Sequence, residues 1–423
     1  MARTLKGKGS VFWAAIIGNV LEYYDFTVYI VFTIEISKAF CPSGSHTSQI
    51  WWALIAFAFG FLARPLGGVV LGYVGDKFGR RTALLSSALG MTFSTFSIGI
   101  LPSYDSIGFF AILMLFVLRL IQGFCISGEG TGAAIFILEH SKVKRLGLMA
   151  GIVHSTNIGG TLLAIFVSFA LRHFFPQYQD FIWRFAFISG GLFGLFALFL
   201  RWHVAETPIF AVMKQQRGQV KDGIMNVVRS AWRKMFLTFV IGSFTSSMVQ
   251  FIKGYISVYY QEEMGLSHHT SLMYLMYSSV VLMISMVIFG GLGDVFGKSR
   301  ILIGSGIMAI IFIFPALWFM SGPNTLDHII GLTMLDVIAG AASASAYAFV
   351  ISIFEPSQRF FGVSVSYNLG IALFGGTSPA IAKLLGNLVG DSYAPAYYIT
   401  ALSIMFLITM FKMKPFIAPK DYH

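Results

Sequence analysis

Twelve stretches of about twenty mostly apolar residues run through this 423-residue chain. They lie at 11–36, 49–72, 82–101, 107–135, 146–171, 182–203, 235–260, 269–291, 300–320, 327–352, 361–388 and 395–414. A helix needs about 20 such residues to cross the hydrocarbon of a bilayer. Inside lipid each backbone N–H and C=O must be satisfied by the segment or its neighbours, which leaves helices and closed barrels. These runs are too long for barrel strands and lack strict alternation, so each is expected to be a helix. Charged residues make up 11% of the chain, against about 25% in a soluble domain. A soluble enzyme and a disordered chain are therefore excluded, and the fold class is an all-α polytopic membrane protein. Two cysteines, Cys41 and Cys125, make no disulfide framework, and the sequence has no Cys/His cluster for a metal. No cofactor is expected.

The formal charge of +11 is a matter of topology rather than of nucleic-acid binding. Basic residues cluster in alternate loops: Arg3, Lys6 and Lys8 before the first run; Lys77, Arg80 and Arg81 after the second; Lys142, Lys144 and Arg145 after the fourth. Lys214, Arg217, Lys221, Arg229, Arg233 and Lys234 follow the sixth, and Lys298, Arg300, Arg359, Lys412, Lys414 and Lys420 continue the series. The opposite loops hold little beyond Lys38 and Arg172. By the positive-inside rule both termini are cytoplasmic. The first run contains Glu22 and Asp25 and is too long for a signal-peptide core, so it reads as a retained helix.

One polar stretch, 204–234, divides the chain into an N-terminal bundle at 1–203 and a C-terminal bundle at 235–423. The halves share a motif: Gly72, Asp76 and Gly79 recur as Gly290, Asp294 and Gly297, each offset by 218 residues. Both copies fall between the second and third runs of their half. Two pseudo-symmetric six-helix bundles of this kind point to a rocking secondary transporter with its site between them. Gly297-Lys298-Ser299 looks like the end of a phosphate-binding loop, but the earlier glycine is replaced by Leu292. ATP hydrolysis is not expected, and the chain is not read as an enzyme.

The loop from Gly72 through Asp76 and Gly79 to Arg80 and Arg81 resembles the signature loop of the major facilitator superfamily. Leu115, Arg119, Gln122 and Gly123 resemble its fourth-helix motif. Gly18-Asn19-Val20-Leu21-Glu22-Tyr23-Tyr24-Asp25-Phe26, Arg64-Pro65-Leu66-Gly67-Gly68, Gly128-Glu129-Gly130-Thr131-Gly132-Ala133, Glu206-Thr207-Pro208 and Phe374 to Pro379 resemble the metabolite:proton symporters. Within that group, Pro102 to Gly108 and Gly128 to Glu139 are most similar to the proline/betaine osmoprotectant transporters. The second signature loop departs from the first, with Val295 and Ser299 where Lys77 and Arg81 stand.

The resemblance implies a twelve-helix monomer in the bacterial cytoplasmic membrane that couples proton entry to uptake of a small polar metabolite. The first-choice substrate is a zwitterion such as proline or betaine; a dicarboxylate or tricarboxylate is the alternative. It also places helices one and four beside the cavity, where an ionisable group inside the membrane is tolerated because it meets a partner or water. Asp25, with Glu22 a turn earlier, is therefore expected to pair with Arg119 and carry the proton. Glu129 is either a second proton stop or the partner of a basic residue at the cytoplasmic end. His154 either titrates or makes a plain polar contact. Lys253 either extends to the outer surface or meets a substrate carboxylate, with Gln250 on the same face. Tyr23, Tyr24, Gln122, Asn157, Tyr274, Tyr277, Tyr347, Tyr367 and Asn368 are the remaining candidate substrate residues, since aromatic faces attract quaternary ammonium groups. The resemblance gives Asp76 the task of closing the cytoplasmic side by contacting the start of helix eleven. Gly72, Gly79, Arg80, Arg81 and Asp294 complete that gate.

Overall fold

The computed structural model describes residues 8–40, 59–140, 145–178, 180–217, 224–391 and 393–413. Among them every regular element is helical. Helix α1 spans Lys8–Val31 and α2 Thr33–Phe40; α3, Arg64–Lys77, and α4, Arg80–Ile100, meet at a tight turn. They are followed by α5 (Phe109–His140), α6 (Leu146–Phe174), α7 (Ile182–Trp202), α8 (Pro208–Arg217) and α9 (Ile224–Gln250). The later helices are α10 (His268–Phe296), α11 (Lys298–Met320), α12 (Thr325–Ile353), α13 (Arg359–Gly370), α14 (Ser378–Val389) and α15 (Ala394–Lys412). Thus the polar stretch at 204–234 holds α8 and the opening turns of α9, and the seventh span begins inside it.

Ten helical runs among the described residues are long and apolar enough to cross a membrane. Their faces are sorted for a lipid surrounding. On α4, Leu89, Phe93, Phe96 and Ile100 recur at helical spacing and are exposed, while Ser87, Ser94 and Thr95 are buried. Apolar side chains outside and hydroxyls inside are stable only where the solvent is hydrocarbon. Helix α1 is less apolar because Asn19, Glu22 and Asp25 interrupt it, and all three are buried. The second expected run, 49–72, lies partly outside the described residues.

Among the described residues, three π-helical turns interrupt the second half. Phe251–Tyr255 and Tyr259–Glu263 extend α9, and Ile371–Gly375 joins α13 to α14. Each inserts a residue into the helical register and so re-aims the side chains that follow. The described residues form two compact units, one from 1–140 with 156–221 and the other from 141–155 with 222–423. Helix α6 therefore begins in the second unit and ends in the first. The first unit is centred on Tyr24, Tyr29, Phe32, Trp183 and Phe187, packed from α1 and α7.

Candidate transport site

Helix α1 directs its polar residues into the first unit at three-residue spacing. Asn19 donates to Thr156 Oγ1 at 2.7 Å and to Asn157 Oδ1 at 2.5 Å, which ties α1 to α6. One turn on, Glu22 Oε2 lies 3.6 Å from Arg201 Nη1 at the end of α7. Both side chains are almost fully buried. The guanidinium passes directly over Gly18, where a β-carbon would collide with it. Asp25, 2% exposed, sits against Gly190 of α7 and the side chain of Thr95. Its Oδ1 accepts no hydrogen bond among the described residues.

Asp25 does not form the expected ion pair with Arg119; the two are connected through neutral side chains. Arg119 Nη1 donates to Gln122 Oε1 at 2.8 Å, and Gln122 Nε2 donates to Thr95 Oγ1 at 2.9 Å. Thr95 is also the polar neighbour of Asp25. Arg119 lies 4.1 Å from the ring centre of Tyr29 and 5.0 Å from that of Phe26. Arg64 lies 4.7 Å from the same Phe26 ring and 4.4 Å from Phe61. Two buried guanidiniums thus share one aromatic ring. A planar guanidinium stacks this way more readily than the compact ammonium of lysine.

The structure assigns packing to Tyr24, which the sequence offered as a substrate residue. Its ring is fully buried in the core of the first unit, and its hydroxyl donates to the Ala186 carbonyl at 3.0 Å beside Ser189. Tyr23 is half-buried on α1. Glu129 belongs to α5, but its side chain lies outside the described residues.

In the second unit His154 stacks on Tyr347, with ring centres 4.1 Å apart, and Tyr347 lies 4.8 Å from Tyr367. The Tyr367 hydroxyl meets Thr245 Oγ1 at 2.9 Å, and Asn368 donates to the Ser364 carbonyl at 2.8 Å. Gln250 precedes the first π-helical turn and Lys253 lies within it, and both are half-buried. Tyr274 and Tyr277 belong to another cluster: Tyr274 stacks on Tyr260, and the Tyr277 hydroxyl meets Thr333 at 2.8 Å.

The two signature loops are built differently. In the first, Arg80 is 0% exposed and lies between Asp76 at 3.1 Å and Glu139 at 3.4 Å, while also donating to the Gly75 carbonyl. Thr207 donates to Glu139 at 2.7 Å. Glu206 accepts the Arg81 backbone N–H and so caps α4, where an anion suits the helix dipole. Gly79, at φ +115°, leaves room for that carboxylate. Gly72 is buried on α3. In the second loop Asp294 accepts the backbone N–H groups of Gly147 at 2.6 Å and Leu148 at 2.8 Å. Asp294 thus caps the start of α6 within the second unit. Gly147 and Gly290 let the two backbones approach closely there.

The Major Facilitator Superfamily model matches residues 15–375. The chain belongs to this superfamily. An ectoine/proline transporter ProP of Corynebacterium glutamicum is 30% identical over 406 residues, covering 92% of this chain and 80% of that one. A proline/betaine transporter of Escherichia coli strain K12 is 28% identical over 413 residues, covering 95% and 82%. The structure of the proton:xylose symporter XylE bound to 6-bromo-6-deoxy-D-glucose superposes with a TM-score of 0.72 at 19% identity, covering 97% and 96%. That likeness shows the superfamily fold of twelve helices in two bundles, and this is a multi-pass membrane protein.

Four buried ionisable residues of this superfamily member escaped the sequence reading as site residues. Arg64 appeared only as part of a motif, Glu139 only as the end of one, and Arg201 sits where a cytoplasmic topology charge is expected. Asp336 did leave a signal, being a lone carboxylate well inside an apolar run.

Proposed function

We propose that this protein is a proton-coupled symporter that imports a small zwitterion, proline or betaine before others, through a site exposed to each side of the membrane in turn. The observation that carries the reading is the likeness, over nine-tenths of the chain, to transporters named for proline. The side chains supply complementary chemistry. Arg64 and Arg119 offer a substrate carboxylate two buried guanidiniums. Tyr347 and Tyr367, with His154, offer a quaternary ammonium group aromatic faces. Asp25 is the proposed proton carrier, since a buried carboxylate that lacks a direct cationic partner is costly to keep charged. Glu22, paired with Arg201, holds α1 and α7 together beside it. The protein is read as a monomer in a bacterial cytoplasmic membrane with both termini on the cytoplasmic side. One proton moving down 100 mV supplies about 2.3 kcal/mol, enough for roughly fifty-fold accumulation of a neutral solute.

Purified protein in proteoliposomes with an acidic exterior tests this reading. Accumulation of labelled proline or glycine betaine above the external concentration, abolished by a protonophore, is the expected result. Accumulation of succinate or citrate with no uptake of either zwitterion would overturn the substrate assignment.

A further inference from the structure

A further group of buried polar atoms lies within the second unit. Asp336 of α12 is 0% exposed, and its Oδ1 accepts a hydrogen bond of 2.7 Å from Ser278 of α10. Its Oδ2 has no hydrogen-bond partner among the described residues. Two turns earlier on the same helix His328 is also buried, with no hydrogen-bond partner at Nδ1 among the described residues. Tyr260 connects the two levels. The π-helical turn Tyr259–Glu263 aims it into the unit, where it is 0% exposed and its hydroxyl has no hydrogen-bond partner among the described residues. Its ring lies edge-on to His328 at 5.2 Å and stacks on Tyr274 at 4.8 Å. Tyr260, His328 and Asp336 each leave a buried polar atom without a hydrogen-bond partner among the described residues, and each such group costs about 1–3 kcal/mol.

We propose that Asp336, reached through His328 and Tyr260, is a second proton-binding site, so that each half of the transporter carries a protonatable carboxylate. His328 stands in the opening turns of α12 and Asp336 eight residues further on, roughly 12 Å along the helix. The three groups therefore form a graded path from a helix end to the interior. Helix α10 brings Tyr274, Tyr277 and Ser278 to this region, and the extension of α9 brings Tyr259 and Tyr260. Among the described residues Asp336 forms no ion pair, and Ser278 is its hydrogen-bond partner. Its charge is balanced only by a proton, and this makes it a carrier rather than half of a fixed bridge. The inference rests on the proposed symport, and the test separates the two.

The test counts protons taken up per proline, using a pH dye inside proteoliposomes, in the full-length protein and in Asp336→Asn. The amide can still accept from Ser278, so the α10–α12 contact is kept while titration is removed. Proline counterflow without a gradient reports that the variant is folded. The expected result is intact counterflow, about half as many protons per proline, and steady accumulation lower by up to roughly fifty-fold at 100 mV. An unchanged proton count would overturn the second site while leaving symport standing. No proton uptake by the parent protein would instead refute symport itself. Should Asp336→Asn fail to fold, Tyr260→Phe decides, since it keeps the ring stack and removes only the hydroxyl. Proton uptake slowed several-fold is expected, and an unaltered rate would sink the proposal.

Discussion

Glu22 and Arg201 form a buried ion pair at 3.6 Å that joins α1 to α7. The pair lies one helical turn from Asp25, so the two acidic residues of α1 have different surroundings. Removing one member of a buried pair strands the other charge and costs about 3–5 kcal/mol. Arg201→Met should therefore lower the thermal midpoint sharply in detergent, and adding Glu22→Gln should recover at least about 1 kcal/mol as coupling. Additive losses in this double-mutant cycle would show that the contact is incidental.

Asp25→Asn is expected to lower proton-driven accumulation by roughly fifty-fold or more at 100 mV and to leave proline counterflow within about threefold of the parent. The substitution is isosteric, and Asp25 anchors no ion pair. Accumulation at the parent level would remove Asp25 as the carrier.

Tyr347 tests the ammonium subsite. A cation–π contact is worth about 1–2 kcal/mol when desolvated, so Tyr347→Ala should raise the KM for glycine betaine roughly tenfold. Tyr347→Phe keeps the face of the ring and should change KM less than twofold. Equal effects from both would transfer the role to the hydroxyl.

Gly79 and Glu206 make a paired prediction. Gly79→Ala puts a β-carbon at φ +115° and against the Glu206 carboxylate, which should cost well over 1 kcal/mol. Glu206→Ala alone removes the cap of α4 at about 1 kcal/mol. In that background Gly79→Ala should cost less, because only backbone strain remains. A full penalty in both backgrounds would mean that the carboxylate does not set the limit.

Asp294→Ala removes the acceptor of two N–H groups at the start of α6. Turnover is expected to fall several-fold with KM and pH optimum unchanged, as measured by initial uptake rates across pH. A displaced pH optimum would place Asp294 in proton transfer instead.

What the residues alone determined follows from the solvent. The length and polarity of the runs fixed a helical membrane protein, because lipid offers the backbone no hydrogen bonds. The 218-residue repeat announced two related halves, and the buried positions of Asp25, Glu22 and Arg119 were legible from the cost of placing charge within an apolar run. Partnership was not legible. Arg119 and Arg201 are both arginines near the polar face of α1, and which one meets a carboxylate depends on how α5 and α7 are rotated. Likewise, Tyr260 meets Tyr274 and His328 because a π-helical turn shifts the register by one residue, a change that no periodic pattern announces. Apolar pattern decides which segments enter the membrane; close packing of helices decides which charges meet there.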